Sequence, residues 1–211
     1  MTIEAGFKEQ RPVVLSTPLK GKYWTAIYNC EWKRGHRRGY YTVNGKSGIP
    51  GRFAIDFVRL DDKGKLYHQN KDFVKNYYSY GEDVLAGDDA IVVSLKDGFS
   101  ESETISGYFT NGESDASGNY LALQVRNVVY VFYEHLQPGG IRFKVGDRVK
   151  KGQVVARVGF TGDASEPHLH LHVGDSDSVL GAEGLPFVLR NLAIRVYLST
   201  SAILEKSDGL L

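Results

Sequence analysis

Three of the six histidines fall at alternate positions in Pro167-His168-Leu169-His170-Leu171-His172-Val173. A strand points successive side chains to opposite faces. This spacing therefore predicts His168, His170 and His172 on one face, with Leu169, Leu171 and Val173 on the other. Pro167 suits the first position of such a strand, where a missing N–H does no harm. Neutral imidazole is the commonest protein ligand for zinc, and a His-x-His pair on one strand directs two rings into the same space. The plain alternative is a solvent-facing strand that happens to carry histidine. Three imidazoles in register against an apolar face favour the metal.

A metal site needs partners from elsewhere in the chain. Phe53 to Leu60 is a mostly apolar run with Asp56 inside it, and a carboxylate in a strand core is unfavourable unless a metal or an arginine compensates its charge. His135 falls just beyond a predicted strand, Val128 to Tyr133, and before the Pro138-Gly139-Gly140 break. His36 lies in the basic loop Lys33 to Gly39, which taken alone reads as a solvated surface segment. His68 to Tyr80 has no clean period and predicts a loop or one short helix. Within it, Tyr78 and its neighbours Tyr77 and Tyr80 either line a substrate groove or form a half-buried aromatic segment, the simpler account.

The elements that must position these residues read as β. Strands are predicted at Val13 to Leu15, Tyr23 to Tyr28, Tyr120 to Val125 and Val128 to Tyr133. Val84 to Ala86 and Ala90 to Leu95 flank Gly87-Asp88-Asp89, which predicts a hairpin. Lys144 to Gly159 predicts a strand, a glycine turn and a second strand. Residues 96–118 predict a long exposed loop, either a lid over the groove or a surface insertion. Phe187 to Leu198 is weakly amphipathic. With no heptad, repeat or helix-rich region, the expected fold is mainly antiparallel β, a sandwich or partly open barrel with few short helices.

Composition narrows the function. The chain has 211 residues, 42% hydrophobic and 24% charged, as in an ordinary globular protein. Its 26 basic and 25 acidic residues give a net charge of +1, which argues against a dedicated nucleic-acid binder. Cys30 is the single cysteine, so no intrachain disulfide forms. No apolar run approaches a membrane span. Met1 to Gln10 carries Glu4, Lys8 and Glu9 and lacks the apolar core of a secretory signal. Two compartments stay open: inside the cell, or outside it after removal of a leader.

The motifs together carry a resemblance. Val149 to Val173 resembles the lysostaphin-type (LytM-like) zinc endopeptidases, which cleave peptide cross-links in bacterial peptidoglycan. The resemblance runs through Gly146-Asp147-x-Val149, Gly152-Gln153, Gly159-x-Thr161-Gly162 and Pro167-His168-Leu169-His170. Tyr133-x-His135-Leu136 and Asp83-Val84-Leu85-Ala86 extend it, so that it spans about residues 50–175. It implies a β domain over residues 46–190, an N-terminal extension over 1–45 and a C-terminal tail over 191–211. It also implies a peptide or peptidoglycan substrate and a periplasmic or extracellular site of action. The family holds zinc with a His-x-x-x-Asp motif plus the second histidine of His-x-His. By resemblance, Asp56 and His170 are then Zn2+ ligands, and His135 and His168 are the two non-ligand catalytic imidazoles.

One position departs from this pattern. Arg52 stands where the family has its first zinc-binding histidine, and a guanidinium does not act as a ligand. The Arg52-Phe53-Ala54-Ile55-Asp56 run resembles a divergent branch of the family. Three readings follow. In the first, another histidine completes the site: His36 is favoured because its loop feeds the Asp56 strand, with His68 and His172 behind it. Arg52 then supports the site from outside the ligands or binds a substrate carboxylate, and His172 supports His170. In the second, Arg52 pairs with Asp56 in a degenerate domain that serves as a binding or docking module. In the third, an altered metal site performs a reaction other than peptide hydrolysis.

Overall fold

The computed structural model describes residues 11–28, 35–109, 112–190, 195–198 and 202–205. Short apolar stretches separated by glycine and polar turns become strands throughout. In chain order these are β1 (Val13–Ser16), β2 (Trp24–Tyr28), β3 (Tyr41–Val43), β4 (Lys46–Gly48) and β5 (Ile55–Arg59). Next come β6 (Asp83–Leu85), β7 (Ala90–Lys96), β8 (Tyr120–Arg126), β9 (Val129–Glu134) and β10 (Arg148–Val149). The last are β11 (Val154–Arg157), β12 (Leu169–Gly174), β13 (Phe187–Arg190), β14 (Arg195–Leu198) and β15 (Ala202–Glu205). Helical structure among the described residues is limited to 3-10 turns, including Gly35–Arg38, Pro50–Phe53 and Val74–Asn76. None is long and apolar enough to cross a membrane. Cys30, Lys33, Arg34 and the first ten residues lie outside the described residues.

A seven-stranded sheet in the order β10-β7-β8-β9-β12-β5-β2 carries the site. It is antiparallel throughout and open at both edges; β1 and β13 form a separate parallel pair. The architecture is the expected mainly β one. β2 belongs to this sheet and β1 pairs with β13, so residues 13–28 of the expected extension are woven into the strands. One face of the sheet holds the main core, where Phe57, Leu121, Leu123, Val131, Tyr133, Leu169 and Leu171 are all buried. Each such burial contributes about 1.5–3 kcal/mol before entropy is counted. The other face carries Ala122 and Phe132 under Ala182 and Val179, which arrive on the segment after β12.

The hairpin expected at Gly87-Asp88-Asp89 does not form. β6 pairs with β11, whereas β7 pairs with β8 and β10. Gly87 N–H donates to the buried Tyr133 hydroxyl at 2.9 Å, and its backbone packs against Leu15 and Ser16. The chain is therefore held through a corner and passes from one sheet to the other. Lys144 to Gly159 behaves alike: its two strands flank a glycine turn but pair with β7 and β6, not with each other. The turn locks to the corner through Gly152 N–H to Ala86 O, 2.8 Å, and Ala86 N–H to Gln153 O, 2.9 Å.

The long segment after β7 is tied down. Asn119 bonds both backbone groups of Phe99 at 2.9 Å, and Glu101 accepts the Phe160 N–H at 2.8 Å. Ile105 and Tyr108 pack against the buried Val74 and Phe160. Its end then rises against the histidine strand, bringing Ala116 and Ser117 to the wall of the cleft described next.

Candidate metal centre

The histidine strand β12 lies between β5 and β9, and its register sets the chemistry. His170 stands opposite Asp56 on one neighbour and opposite Glu134 on the other. Directly opposed residues share a face, so Asp56, His170 and Glu134 form one row across three strands. The next row pairs His172 with Phe132, whose rings stack at 4.5 Å between centroids. Every residue of β12 is buried. The histidine face is roofed by loops rather than open to solvent, leaving a cleft lined by His36, Gly51, Ser117, His135, His170 and Leu180 among others.

His36 reaches this cleft from the 3-10 turn Gly35–Arg38, which packs on the turn Pro50–Phe53. Gly51 makes the approach possible: a Cβ there would lie 2.9 Å from the His36 Cβ. His36 Nε2 then sits 2.6 Å from Asp56 Oδ2, while His170 Nδ1 sits 2.8 Å from Asp56 Oδ1. Each carboxylate oxygen thus has its own imidazole, and the three donor atoms lie within 4.8 Å of one another. Two ring nitrogens and one carboxylate oxygen match the three-ligand donor set of catalytic zinc. The residues present therefore fit the ion that the motifs imply.

Arg52 is not in this cluster. Its Nε donates to Glu183 Oε1 at 2.5 Å, and Glu183 Oε2 accepts the Ile49 N–H at 3.1 Å. The Arg52–Asp56 pair of the second reading does not form: among the described residues the guanidinium pairs with Glu183, and Arg52 does not line the cleft. Burial raises the Asp56 carboxyl, but His168 and His170, with hydrogen bonds from His170 and His36, outweigh it and hold it well below the usual range. The groups that stabilise this carboxylate are all imidazoles.

His135 and His168 flank the cluster without joining it. His135 Nδ1 lies 2.8 Å from Thr161 O, and His168 Nδ1 lies 2.7 Å from Glu166 O. A carbonyl only accepts, so each Nδ1 carries the proton, and in the neutral ring the lone pair is on Nε2. The two rings are 4.6 Å apart, and His168 Nε2 is 3.7 Å from Asp56 Oδ1. Burial, reinforced by His168, pushes His135 down to about 3, so it is neutral at physiological pH. His135 holds a φ of +60°, a strained value for a residue with a Cβ. Its N–H donates to Ser117 O at 3.1 Å and its carbonyl accepts from Gly159 at 3.0 Å, fixing the ring at the end of β9.

Glu134 is the residue that the sequence motifs pass over. It is buried, its Oε1 is 2.7 Å from His172 Nδ1 and 3.5 Å from His170 Nε2. The shorter contact lies off the hydrogen-bonding direction, so Glu134 Oε1 and both His172 nitrogens lack a hydrogen-bond partner. Burial works against the Glu134 charge, but His170 and His172 outweigh it and lower its pKa. Strand alternation gives the signal: with Tyr133 in the core, Glu134 must face the histidines. His68 and Tyr78 are elsewhere; their rings meet edge-on at 5.7 Å, outside the cleft.

Residues 77–180 match the model of peptidase family M23. The match includes His135, His168, His170 and His172 and begins after Asp56. The chain is 28% identical over 155 residues to the peptidoglycan DD-endopeptidase ShyC of Vibrio cholerae, covering 72% of this chain and 32% of that protein. It thus spans about a third of the length of that relative. Among solved structures, the catalytic domain of a mutant of the prophage-encoded M23 protein EnpA from Enterococcus faecalis aligns with 80% of this chain and 92% of its own, at 19% identity and TM-score 0.47. The catalytic domain of lysostaphin from Staphylococcus simulans aligns with 69% of this chain and 84% of its own, at 23% identity and TM-score 0.41. Residues 77–180 thus match peptidase family M23, the LytM-like family that the motifs of this chain resemble.

Proposed function

We propose that this domain is a zinc-dependent endopeptidase acting on peptide bonds of peptidoglycan cross-links. His36, Asp56 and His170 hold the metal, and His135 with His168 move protons. The observation that carries this reading is the 2.6 Å contact of His36 Nε2 with Asp56, which supplies an imidazole where Arg52 cannot. The similarity to a peptidoglycan DD-endopeptidase supports the substrate class.

When bound, zinc supplies a Lewis acid that polarises a carbonyl and brings the pKa of water to about 7. The chain's own residues do the rest. Nε2 of His135 or His168 accepts a proton from the attacking water, because the Nδ1 of each is committed to a carbonyl. The ring that takes this proton is then an imidazolium: it stabilises the developing oxyanion and passes the same proton to the leaving amine. The packed walls from Ala116 to Ser117 and from Val179 to Leu180 restrict bulk water around the rings.

The test combines metal analysis with cleavage of a purified cross-linked muropeptide. The native chain should carry about one zinc and cleave the cross-link; His36→Ala should lose both. Full zinc retention by His36→Ala would reject His36 as a ligand. A zinc-free, inactive native chain would reject the enzyme in favour of a docking module.

A further inference from the structure

Asp56, His170 and Glu134 occupy facing positions on β5, β12 and β9, so one imidazole lies between two carboxylates. Asp56 takes the Nδ1 edge of the ring at 2.8 Å, and Glu134 Oε1 stands 3.5 Å from Nε2 at the other edge. The proposed function uses Asp56 and gives Glu134 nothing to do. Yet Glu134 is buried, and a buried carboxylate without a donor is costly. Among the described residues both of its ion pairs are with imidazoles, His170 and His172.

We infer that Glu134 is a positioning residue for the metal ligand His170. It accepts the Nε2–H of His170, which forces the ring's lone pair onto Nδ1, the nitrogen turned toward Asp56 and His36. A ligating histidine that gives its second N–H to a carboxylate has its tautomer and orientation fixed and its basicity raised. His172 steadies Glu134 from the far side, with Nδ1 2.7 Å from the same oxygen and its own ring clamped on Phe132. That contact is off the hydrogen-bonding direction, so Oε1 keeps a lone pair for His170. A movement of about half an ångström brings Nε2 and Oε1 to hydrogen-bond distance.

The same three residues offer a carboxylate oxygen and two ring nitrogens within 4.8 Å, the makings of a second cation site. With His170 Nδ1 already given to the first metal, a cation at Nε2 requires the ring to lose both protons. Acceptance of Nε2–H by Glu134 requires no such loss and leaves His170 a neutral ligand.

The assignment rests on His170 being a zinc ligand, and the experiment separates the two. Zinc dissociation constants from chelator competition are compared for the native chain, Glu134→Gln and Glu134→Leu, with long-range 1H–15N spectra of the zinc-loaded histidines. Zinc should bind about 10–100-fold more weakly in Glu134→Leu and recover in part in Glu134→Gln, whose amide oxygen still accepts. The native spectrum should show the His170 proton on Nε2, moving upfield in Glu134→Gln. If Glu134→Leu does not fold, the native and Glu134→Gln spectra decide. Unchanged affinity in Glu134→Leu, or a bare His170 Nε2 in the native chain, overturns the role of Glu134 alone. Two zinc ions per chain, the second lost in His172→Gln, overturns it in favour of the cation site. A native chain that takes up no zinc overturns the proposed function and this assignment with it.

Discussion

His36 Nε2 lies 2.6 Å from Asp56 Oδ2, although the two residues stand twenty positions apart and on different elements. The contact moves the first imidazole of the cluster from position 52, in the 3-10 turn just before the Asp56 strand, to a separate 3-10 turn, Gly35–Arg38. It also frees position 52. Arg52 turns to Glu183, and the carboxylate that a guanidinium would have neutralised stays available to the three imidazoles around it.

The placement of His36 depends on a residue with no side chain. Gly51 has an ordinary negative φ, so the constraint is space: a Cβ would come 2.9 Å from His36 Cβ and 3.4 Å from its carbonyl. The clash meets the root of the side chain and the backbone, which a rotamer change does not relieve. Gly51→Ala should therefore weaken zinc binding about tenfold or more, the scale of lost supporting contacts around a metal. Isothermal titration of the metal-free chain checks this, with circular dichroism as the control for folding. Native affinity in Gly51→Ala would show that His36 is not held by this packing.

Arg52→Ala should leave zinc stoichiometry and affinity unchanged. The Arg52–Glu183 pair is more than a third exposed on both sides, so its loss should cost no more than about 1 kcal/mol in a denaturant titration. A large fall in zinc affinity would instead place the guanidinium among the groups that support the ligands.

Strand periodicity and the resemblance made the sheet legible and pointed to four candidate residues that lie on its strands or at their ends. Asp56, His135, His168 and His170 each sit in a motif whose strand or strand end forms. The corner at Gly87 was not legible, because its turn chemistry is local while the Tyr133 hydroxyl that holds it is 46 residues away. Arg52 was expected to act near the site because it takes the place of a ligand. What turns it away is Glu183, 131 residues on and in no motif. Glu134 was hidden for a different reason: it occupies the free position of Tyr-x-His-Leu, and only the register of β9 against β12 shows which residues it meets.

Glu101 provides a pH test away from the metal. Burial raises its pKa, more than the hydrogen bonds from Tyr80 and Phe160 N–H lower it. A carboxyl raised above its unfolded value contributes stability that is fully present below the unfolded pKa, about 4.3, and is lost as pH rises through the folded value. Glu101→Gln cannot ionise. Its melting temperature relative to the native chain should therefore rise as pH goes from 4 to 7. A difference independent of pH would mean that burial does not penalise the Glu101 charge.

His135 and His168 should be separable from the metal donors by what their loss leaves behind. Each has its Nδ1 proton given to a carbonyl, and neither ring is among the atoms that cluster on Asp56 Oδ2 and His170. His135→Ala and His168→Ala should therefore keep about one zinc per chain while cleavage of the cross-linked muropeptide falls by about 10²–10⁴-fold, the range for a positioned acid or base. The two differ in their effect on the fold. His135 sits at a φ of +60°, where alanine retains the Cβ strain, whereas His135→Gly removes it. The glycine variant should be as inactive as the alanine variant, with folding stability equal or higher. Loss of zinc from His168→Ala would place that ring among the ligands, which its 3.7 Å distance from Asp56 Oδ1 makes the sharper of the two tests.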